Sequence, residues 1–228
     1  MHFSTLFVAV SLLSLTSSAP VDDTKRAVSS TCPSYTIVST RATGETQGSS
    51  AGFRTMNSRI QTALSGGKIY NTVYAASFSQ NSAAGTTDIV NKIVSTLKNS
   101  PNECFILQGY SQGAQATVNA MSKLRGASFD AVKGVVLIGN PAHKSGLACN
   151  VDNNGGTTTK NVNGMSVRSG GGIPSNWVSK TLDVCIYGDG VCDTTHGSGI
   201  NMKHFQYSWD TPTQNLGASY ITKQLSGY

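Results

Sequence analysis

The sequence predicts an α/β fold in which helices flank a parallel sheet of five strands. Short apolar or β-branched runs alternate along the chain with segments whose apolar residues recur at helical spacing, which is the pattern of successive βα units. A serine between two glycines joins the third of these runs to its helix, and such a sharp strand-to-helix turn occurs in the same class of fold.

The first four elements follow one another without a long interruption. β-Branched residues from Tyr35 to Thr40 predict the first strand, and the helical spacing from Phe53 to Leu64 predicts a helix that ends at Gly66-Gly67. Ile69 to Tyr74 predicts the second strand, and Ile89 to Leu97 predicts the second helix.

The later elements are separated by one long loop. The Gly- and Asn-rich segment 143–175 predicts a loop that could contain a hairpin. The remaining elements are the third strand at Phe105 to Leu107, the third helix at Ala114 to Leu124, the fourth strand at Val135 to Ile138, the fifth strand at Lys180 to Tyr187 and the last helix at Gln214 to Leu225. Together they form a doubly wound sheet.

The N-terminal residues predict export from the cell. An apolar run from Leu6 to Leu15, followed by small residues, is too short to span a bilayer and predicts a signal peptide over residues 1–19. The pair Lys25-Arg26 predicts a propeptide over residues 20–26. Residues 27–228 are then long enough for a single domain with a sizeable core, in a secreted protein.

The charge pattern argues against nucleic acid as a partner. The net charge is +6, only 12% of the residues are charged, and no run of five Lys or Arg occurs. Two Gly-rich segments, Gly139 to Ser145 and Gly188 to Gly190, lack the glycine spacing of phosphate and dinucleotide loops. No nucleotide cofactor is therefore expected.

The motif from Gly109 to Gly113 predicts a nucleophile elbow at Ser111. Its turn leaves no room for side chains two positions before and after the serine, so both positions are glycine. The Gln112 N–H would lie at a helix N-terminus, where unpaired donors favour an oxyanion. A chance occurrence of the motif is the alternative, and the strand and helix on its two sides argue against it.

A serine nucleophile needs a base and an acid, which hydrolases of this class carry in the order Ser, acid, His. Asp189 directly follows the fifth strand, whereas Asp183 lies inside it, so Asp189 is the candidate acid. His204 lies nearer the last helix and leaves a longer return loop, which makes it the candidate base. His196 stays as the alternative.

The cysteines favour disulfides. Five cysteines in an exported chain predict disulfide bonds, and the odd number leaves one unpaired. The alternative is a zinc site built from Cys185, Cys192, His196 and His204. It lacks the tight Cys-x2-Cys spacing and would lie in an oxidising compartment, so no metal is expected.

Three segments together resemble the cutinase family. They are Gly109-Tyr110-Ser111-Gln112-Gly113-Ala114, Cys185-Ile186-Tyr187-Gly188-Asp189-Gly190-Val191-Cys192 and His204-Phe205-Gln206-Tyr207. The resemblance is strongest to the secreted, polyester-degrading cutinase-like esterases of yeast-like fungi, and it covers essentially all of residues 27–228. It implies a cutinase-like α/β-hydrolase fold with an open site, no lid and no cofactor.

The resemblance also implies the roles of the candidate residues. Ser111, His204 and Asp189 would form the catalytic triad, and the backbone N–H groups of Gln112 and Thr43 would form the oxyanion hole. Thr43 stands where better-known cutinases commonly carry Ser, which keeps a hydroxyl and adds a methyl group.

The cysteine pairs implied by the resemblance are Cys32–Cys104 and Cys185–Cys192, with Cys149 left as a buried free thiol. An apolar rim that contacts polymer is expected around the site. Its residues are Ile200, Met202 and Phe205.

The function implied is that of a secreted serine esterase acting on cutin, aliphatic polyesters and short to medium acyl esters. Its expected partner is the polymeric or small ester substrate, with no nucleic acid and no membrane span, and a monomer is expected. One alternative is an acetylxylan esterase on the same fold. The other is a non-catalytic secreted binding or elicitor protein.

Overall fold

The computed structural model describes residues 1–2, 32–167 and 171–227. The predicted signal peptide, propeptide and domain start at residue 27 lie outside the described residues, apart from Met1 and His2. Among the described residues, no helix is long and apolar enough to cross a membrane.

The centre of the fold is a sheet of six parallel strands in the order β2-β1-β3-β4-β6-β5. The strands are β1 (Tyr35–Thr40), β2 (Gly67–Asn71), β3 (Cys104–Tyr110), β4 (Val132–Ile138), β5 (Asn150–Val151) and β6 (Thr181–Val184). The parallel sheet was predicted, and the strand count of five was wrong.

The additional strand is β5, which lies inside the segment predicted as a loop. It pairs with the edge of β6. There the N–H of Asp183 donates to the Cys149 carbonyl, and the N–H of Cys185 donates to the Val151 carbonyl, each at 2.9 Å. Two residues are too few to show an apolar period, because a strand pattern needs at least four positions.

Helices cover both faces of the sheet. They are α1 (Arg54–Ala63), α2 (Ala83–Asn99), α3 (Gln112–Met121), α4 (Ala127–Ala131), α5 (Met202–Phe205) and α6 (Thr211–Ser226). Neighbouring strand residues point into different cores: Ile106 packs with α1 and α6, while Phe105 and Leu107 pack with α2 and α3. This alternation follows from the two-residue period of a strand.

Several element bounds differ from the predictions. The second strand begins at Gly67, directly after the positive-φ turn at Gly66, and it ends at Asn71 rather than Tyr74. The last strand stops at Val184. Helices α4 and α5 were not predicted, since four or five residues show no helical period.

The strand ends bring the candidate residues together. The carboxyl ends of β1, β3, β4 and β6 lie at one edge of the sheet, with Thr40 opposite Gly109 and Tyr110 opposite Ile138. Ligands of open α/β sheets bind at this edge. The loops that follow these strands carry Thr43, Ser111 and Asp189.

Both cysteine pairs implied by the resemblance form disulfides, Cys32–Cys104 and Cys185–Cys192. Cys149 is buried with a free thiol. Burial raises the pKa of that thiol to about 12, with the Asp183 charge acting in the same direction, so it stays protonated and unreactive.

A second buried ionisable group stabilises the loop after β4. His143 and Asp183 are fully buried, with His143 Nδ1 2.9 Å from Asp183 Oδ2 and Nε2 3.0 Å from the Thr159 carbonyl. Both ring nitrogens face acceptors, so the doubly protonated ring satisfies both. Burial works to lower the pKa of His143, but the Asp183 charge and the two hydrogen bonds raise it overall.

Candidate active site

Ser111 occupies a strained turn between β3 and α3. Its φ is +55°, in the left-handed region that non-glycine residues rarely adopt. Its N–H donates to the carbonyl of Ile138 at 3.0 Å, which ties the turn to the neighbouring strand. A Cβ atom at Gly109 would lie 2.6 Å from Ala114 Cα, and one at Gly113 would collide with the Thr40 carbonyl. The two glycines are therefore required by close backbone packing.

The three residues predicted as a triad lie in one hydrogen-bonded chain. His204 Nε2 is 2.9 Å from Ser111 Oγ, and His204 Nδ1 is 3.0 Å from both oxygens of Asp189. Because a carboxylate only accepts, Nδ1 carries the proton and Nε2 accepts from the serine hydroxyl. Ser111 is 5% exposed, His204 2% and Asp189 0%, so only the serine end of this chain approaches the surface.

Asp189 is fixed by two further donors. The N–H of Val191 donates to Oδ1 at 3.0 Å, and the Tyr207 hydroxyl donates to Oδ2 at 2.7 Å while accepting from the Ile186 N–H at 3.0 Å. Complete burial, together with the Asp189 charge, holds the pKa of Tyr207 well above its ordinary value, so the hydroxyl remains a donor. Sequence reasoning missed this role, although Tyr207 is three residues after His204.

His204 is oriented through its backbone as well as its ring. Asn201 precedes the short helix α5, and its side-chain oxygen accepts from the N–H groups of Lys203 and His204. The Tyr110 hydroxyl donates to the His204 carbonyl at 2.5 Å. A Cβ atom at Gly139 would lie 2.8 Å from His204 Cε1, so this glycine leaves the room that the ring occupies.

The alternative base does not join this chain. His196 Nδ1 lies 2.9 Å from Asp193 Oδ2, and its ring stacks on Tyr187 at 4.3 Å between centroids. The zinc alternative fails because Cys185 and Cys192 are joined to each other. Within the described residues, no group of three or more His, Cys, Asp or Glu could hold a metal ion.

The loop after β1 forms the second wall beside Ser111. The Glu45 carboxylate accepts from the N–H groups of Ala42 at 2.6 Å and Ala51 at 2.7 Å, and the N–H of Gly44 donates to the Ala76 carbonyl at 2.8 Å. Thr43, between these anchors, lines the same cavity as Ser111.

Arg41 fixes the start of this loop. Its guanidinium is buried and donates to the carbonyls of Glu45, Thr72 and Tyr74. On the other wall, the Gln112 N–H lies in the first turn of α3, where it has no acceptor within the helix. Thr43 lines the cavity beside Ser111, and Gln112 directly follows Ser111 at the start of α3.

An apolar cavity of about 360 Å³ opens from Ser111. Of the predicted rim, Ile200 and Phe205 line it, whereas Met202 is 71% exposed and is not part of its lining. Phe78 and Trp209 complete the wall, and they are 83% and 61% exposed. Sequence reasoning missed both: Phe78 is far from the motifs along the chain, whereas Trp209 is two residues after Tyr207, where the nearby motif could have indicated it.

The model of the Cutinase family matches residues 31–225 of this chain. The chain belongs to the cutinase family. A solved structure of a cutinase-like protein from Cryptococcus sp. is 64% identical, with a TM-score of 0.85 over 88% of this chain and 98% of that one. The resemblance seen in the sequence is confirmed.

Two more distant relatives are named as a cutinase and as an acetylxylan esterase. A cutinase of Hypocrea jecorina is 30% identical over 149 residues, 65% of this chain and 48% of that protein. An acetylxylan esterase of the same species is 29% identical over 97% of this chain and 77% of that protein. The chain spans about half the length of the cutinases of H. jecorina and Trichoderma harzianum that it matches.

Proposed function

We propose that this cutinase-family protein is a secreted serine esterase that forms an acyl-enzyme. The observation that supports this most strongly is the continuous chain of hydrogen bonds from Ser111 through His204 to Asp189. A chance grouping would not also put the serine in a strained turn at the mouth of an apolar cavity.

The reaction follows from the direction of these hydrogen bonds. His204 Nε2 takes the proton of Ser111 as Oγ attacks the ester carbonyl, and the N–H groups of Gln112 and Thr43 stabilise the oxyanion. His204 then returns the proton to the leaving alcohol as the carbon–oxygen bond breaks. Water, activated by the same imidazole, attacks the acyl-enzyme and releases the acid.

Asp189 keeps the imidazole in the required tautomer. Because its carboxylate accepts from Nδ1, the proton stays on that nitrogen and the lone pair of Nε2 faces Ser111. The negative charge also stabilises the imidazolium that forms in each half-reaction. The donors Val191 and Tyr207 hold the carboxylate in place during these steps.

The walls of the site favour aliphatic acyl groups. Aromatic and branched side chains surround the cavity beside Ser111, and four of these residues are about half exposed or more. They are Phe78, Ile200, Phe205 and Trp209. An exposed apolar rim fits the surface of a solid polymer, which supports cutin and aliphatic polyesters as substrates, together with short to medium acyl esters. Met202, which was also predicted for this rim, is exposed and lies on the same short helix as Phe205.

An acetylxylan esterase remains the second candidate. Its acyl group, an acetyl, would leave most of a cavity of about 360 Å³ unfilled. Aromatic walls contribute most to binding when apolar groups bury them. The shape of the cavity therefore favours longer acyl chains over acetyl.

One experiment on purified protein tests both the mechanism and the acyl preference. Rates of hydrolysis are measured for p-nitrophenyl acetate, butyrate, hexanoate and decanoate, and for acetylated xylan. We expect the rate to peak between butyrate and decanoate. Ser111→Ala should lower kcat by several orders of magnitude, on the order of a millionfold for a complete triad, without loss of thermal stability.

A phosphonate ester supplies the direct assay of the nucleophile. It should label the wild-type protein at Ser111 once per chain and leave Ser111→Ala unlabelled. An unlabelled but folded wild-type protein would favour the non-catalytic binding role. Activity retained in Ser111→Ala would contradict the mechanism, and a rate greatest on acetylated xylan would favour the second candidate.

A further inference from the structure

The charged side chains are divided unevenly between the interior and the surface of the protein. Among the described residues, Asp130 is the only Asp or Glu that is exposed. The other acids accept hydrogen bonds within the fold, as Glu103 does from Thr36 and Asp152 does from Thr158. None of the described Lys residues is buried. The surface is therefore more positive than the net charge of +6 indicates.

A cluster of cations lies at the edge of the sheet where the strands begin. In a parallel sheet the connecting helices run back towards this edge, and Lys98 lies in the last turn of α2, while Lys123 and Arg125 come shortly after the end of α3. Lys133 is the second residue of β4, and Lys180 directly precedes β6. Both α2 and β4 contact the short helix α4. We call these five side chains the basic edge.

The cations of the basic edge lack carboxylate partners within the part of the chain that the structure describes, where none of them forms an ion pair. Lys180 Nζ donates instead to the carbonyls of Phe129 and Val132 at 2.9 and 3.0 Å, and Lys133 Nζ donates to the Asp130 carbonyl at 2.9 Å. Burial, and after it the charge of Lys133, lowers the pKa of Lys180. The two ammonium groups are therefore close enough to repel each other.

Capping of helices accounts for only part of this cluster. A cation near a helix C-terminus is stabilised by the macrodipole, which explains Lys98 and Lys123. It does not explain Lys133 and Lys180, which belong to the beginnings of strands. Like charges held together without counter-ions oppose the folded state. An anion from outside the chain would remove this repulsion.

The composition of the basic edge indicates which polyanion it fits. Apart from Arg125 it consists of Lys, a point charge without the paired donors that Arg offers to phosphate. Single-stranded nucleic acid also needs aromatic side chains on which bases stack. The exposed aromatic residues of the described chain lie elsewhere, after the carboxyl ends of the strands. They are Phe78, Tyr187, Phe205 and Trp209.

We propose that the basic edge binds an acidic polysaccharide, a polymer whose sugar units carry carboxylates at intervals. The inference goes beyond the proposed esterase activity and uses the proposed secretion only to choose among polyanions, since a secreted protein meets extracellular polymers. The 7 residues of β3 separate the basic edge from Ser111, a distance of about 20 Å. A polymer bound at this edge leaves the active site open to an ester substrate.

The test measures the Kd of the protein for polygalacturonate, with dextran as the neutral polysaccharide. At an ionic strength of about 0.1 M the Debye length is about 10 Å, so charges at the two edges of the sheet act separately. The test variant carries Lys98→Gln, Lys123→Gln and Arg125→Gln, which are exposed side chains of the basic edge.

The matched control removes the same amount of charge from the carboxyl edge. It carries Arg54→Gln, Lys144→Gln and Lys203→Gln, which are also exposed. Arg54 begins α1, Lys144 follows β4, and Lys203 lies beside His204. The Tm of each variant shows whether it is folded.

We expect wild-type protein to bind polygalacturonate and not dextran, and to lose this binding at an ionic strength of about 1 M, where the Debye length is about 3 Å. The basic-edge variant should bind with a Kd about ten- to a hundredfold higher, because diffuse binding weakens with each charge removed. The control variant should change Kd by no more than about threefold.

A second measurement does not depend on any variant. Polygalacturonate at saturating concentration should leave the wild-type rate on p-nitrophenyl butyrate unchanged, because the polymer binds away from Ser111. Inhibition of this rate by the polymer would overturn the proposed location.

Three other results would overturn the proposal for the basic edge. They are no binding of polygalacturonate, an equal loss of binding in the two variants, and tighter binding of duplex DNA than of polygalacturonate. A protein that binds the polymer but hydrolyses no ester would support the basic edge and overturn the proposed function, so the two failures are distinguishable.

Discussion

Removing the Cys185–Cys192 disulfide should impair catalysis more than it impairs folding. The bridge joins residues 7 positions apart and encloses Asp189. The backbone of this loop is otherwise held by short-range bonds, in which the Asp189 N–H donates to the Ile186 carbonyl at 2.9 Å and the Cys192 N–H donates to the Asp189 carbonyl at 3.1 Å. Without the bridge, these bonds and the donors to the carboxylate must position the acid alone.

Removing the bridge should change two quantities, the free energy of unfolding and the catalytic rate. In the chain-entropy estimate, a ring this small contributes about 2.5 kcal/mol to the free energy of unfolding. The other bridge, Cys32–Cys104, joins residues 72 positions apart, and the same estimate gives it about 4.4 kcal/mol. A displacement of the triad acid by about 1 Å can lower the rate on the order of a hundredfold. Because Val191 and Tyr207 still hold Asp189, we expect a fall of about ten- to a hundredfold.

The assay measures kcat on p-nitrophenyl butyrate, well below the unfolding midpoint of each variant. Two double variants are compared, Cys185→Ser with Cys192→Ser and Cys32→Ser with Cys104→Ser. The first should lose more activity and the second more stability. If the first pair turns over at the wild-type rate with only a lower Tm, the bridge serves the fold and does not position Asp189.

Two further predictions concern pH and the polymer surface. Because the pKa of His143 is raised in the folded protein, the stabilisation from its pair with Asp183 is fully present below about pH 6.5 and is lost as the pH rises through the raised value. Asp183→Asn should therefore lower Tm more at roughly pH 5 than at roughly pH 9, and an equal loss at both would contradict the ion pair. Among the described residues between β4 and β6 no α-helix occurs, so tributyrin should show no jump in specific activity when it passes from solution to emulsion. A marked jump would indicate a lid.

The parts of the fold that the sequence predicted well are those with a local signal. The first strand was predicted with its exact bounds, Tyr35 to Thr40, because every residue in it is buried and most are β-branched or aromatic. Ser111 was identifiable because its turn requires glycine on both sides, which is a constraint on neighbouring positions. His204 and Asp189 could be selected as the candidate base and acid from chain order, which a sequence displays directly.

The strand count and the residues that support the proposed triad had no such local signal in the sequence. β5 exists because the N–H groups of Asp183 and Cys185, on the edge of another strand, find acceptors in Cys149 and Val151. Tyr207 becomes a donor to Asp189 only when the return loop brings the two within 2.7 Å. These contacts depend on where distant segments meet, and a local pattern does not record that.

The cavity lined by Gln115, Met165 and Ser166 shows this limit most clearly. The apolar residues of α3 predict its buried face, and a polar side chain such as Gln115 on the other face is normally left to solvent. It becomes part of a wall because the segment 164–166 crosses in front of it, with the N–H of Met165 donating to the Val191 carbonyl at 2.9 Å and that of Ser166 to the Pro141 carbonyl at 2.8 Å. Backbone hydrogen bonds between loops, which depend little on residue type, therefore decide that this polar face lines a cavity rather than facing open water.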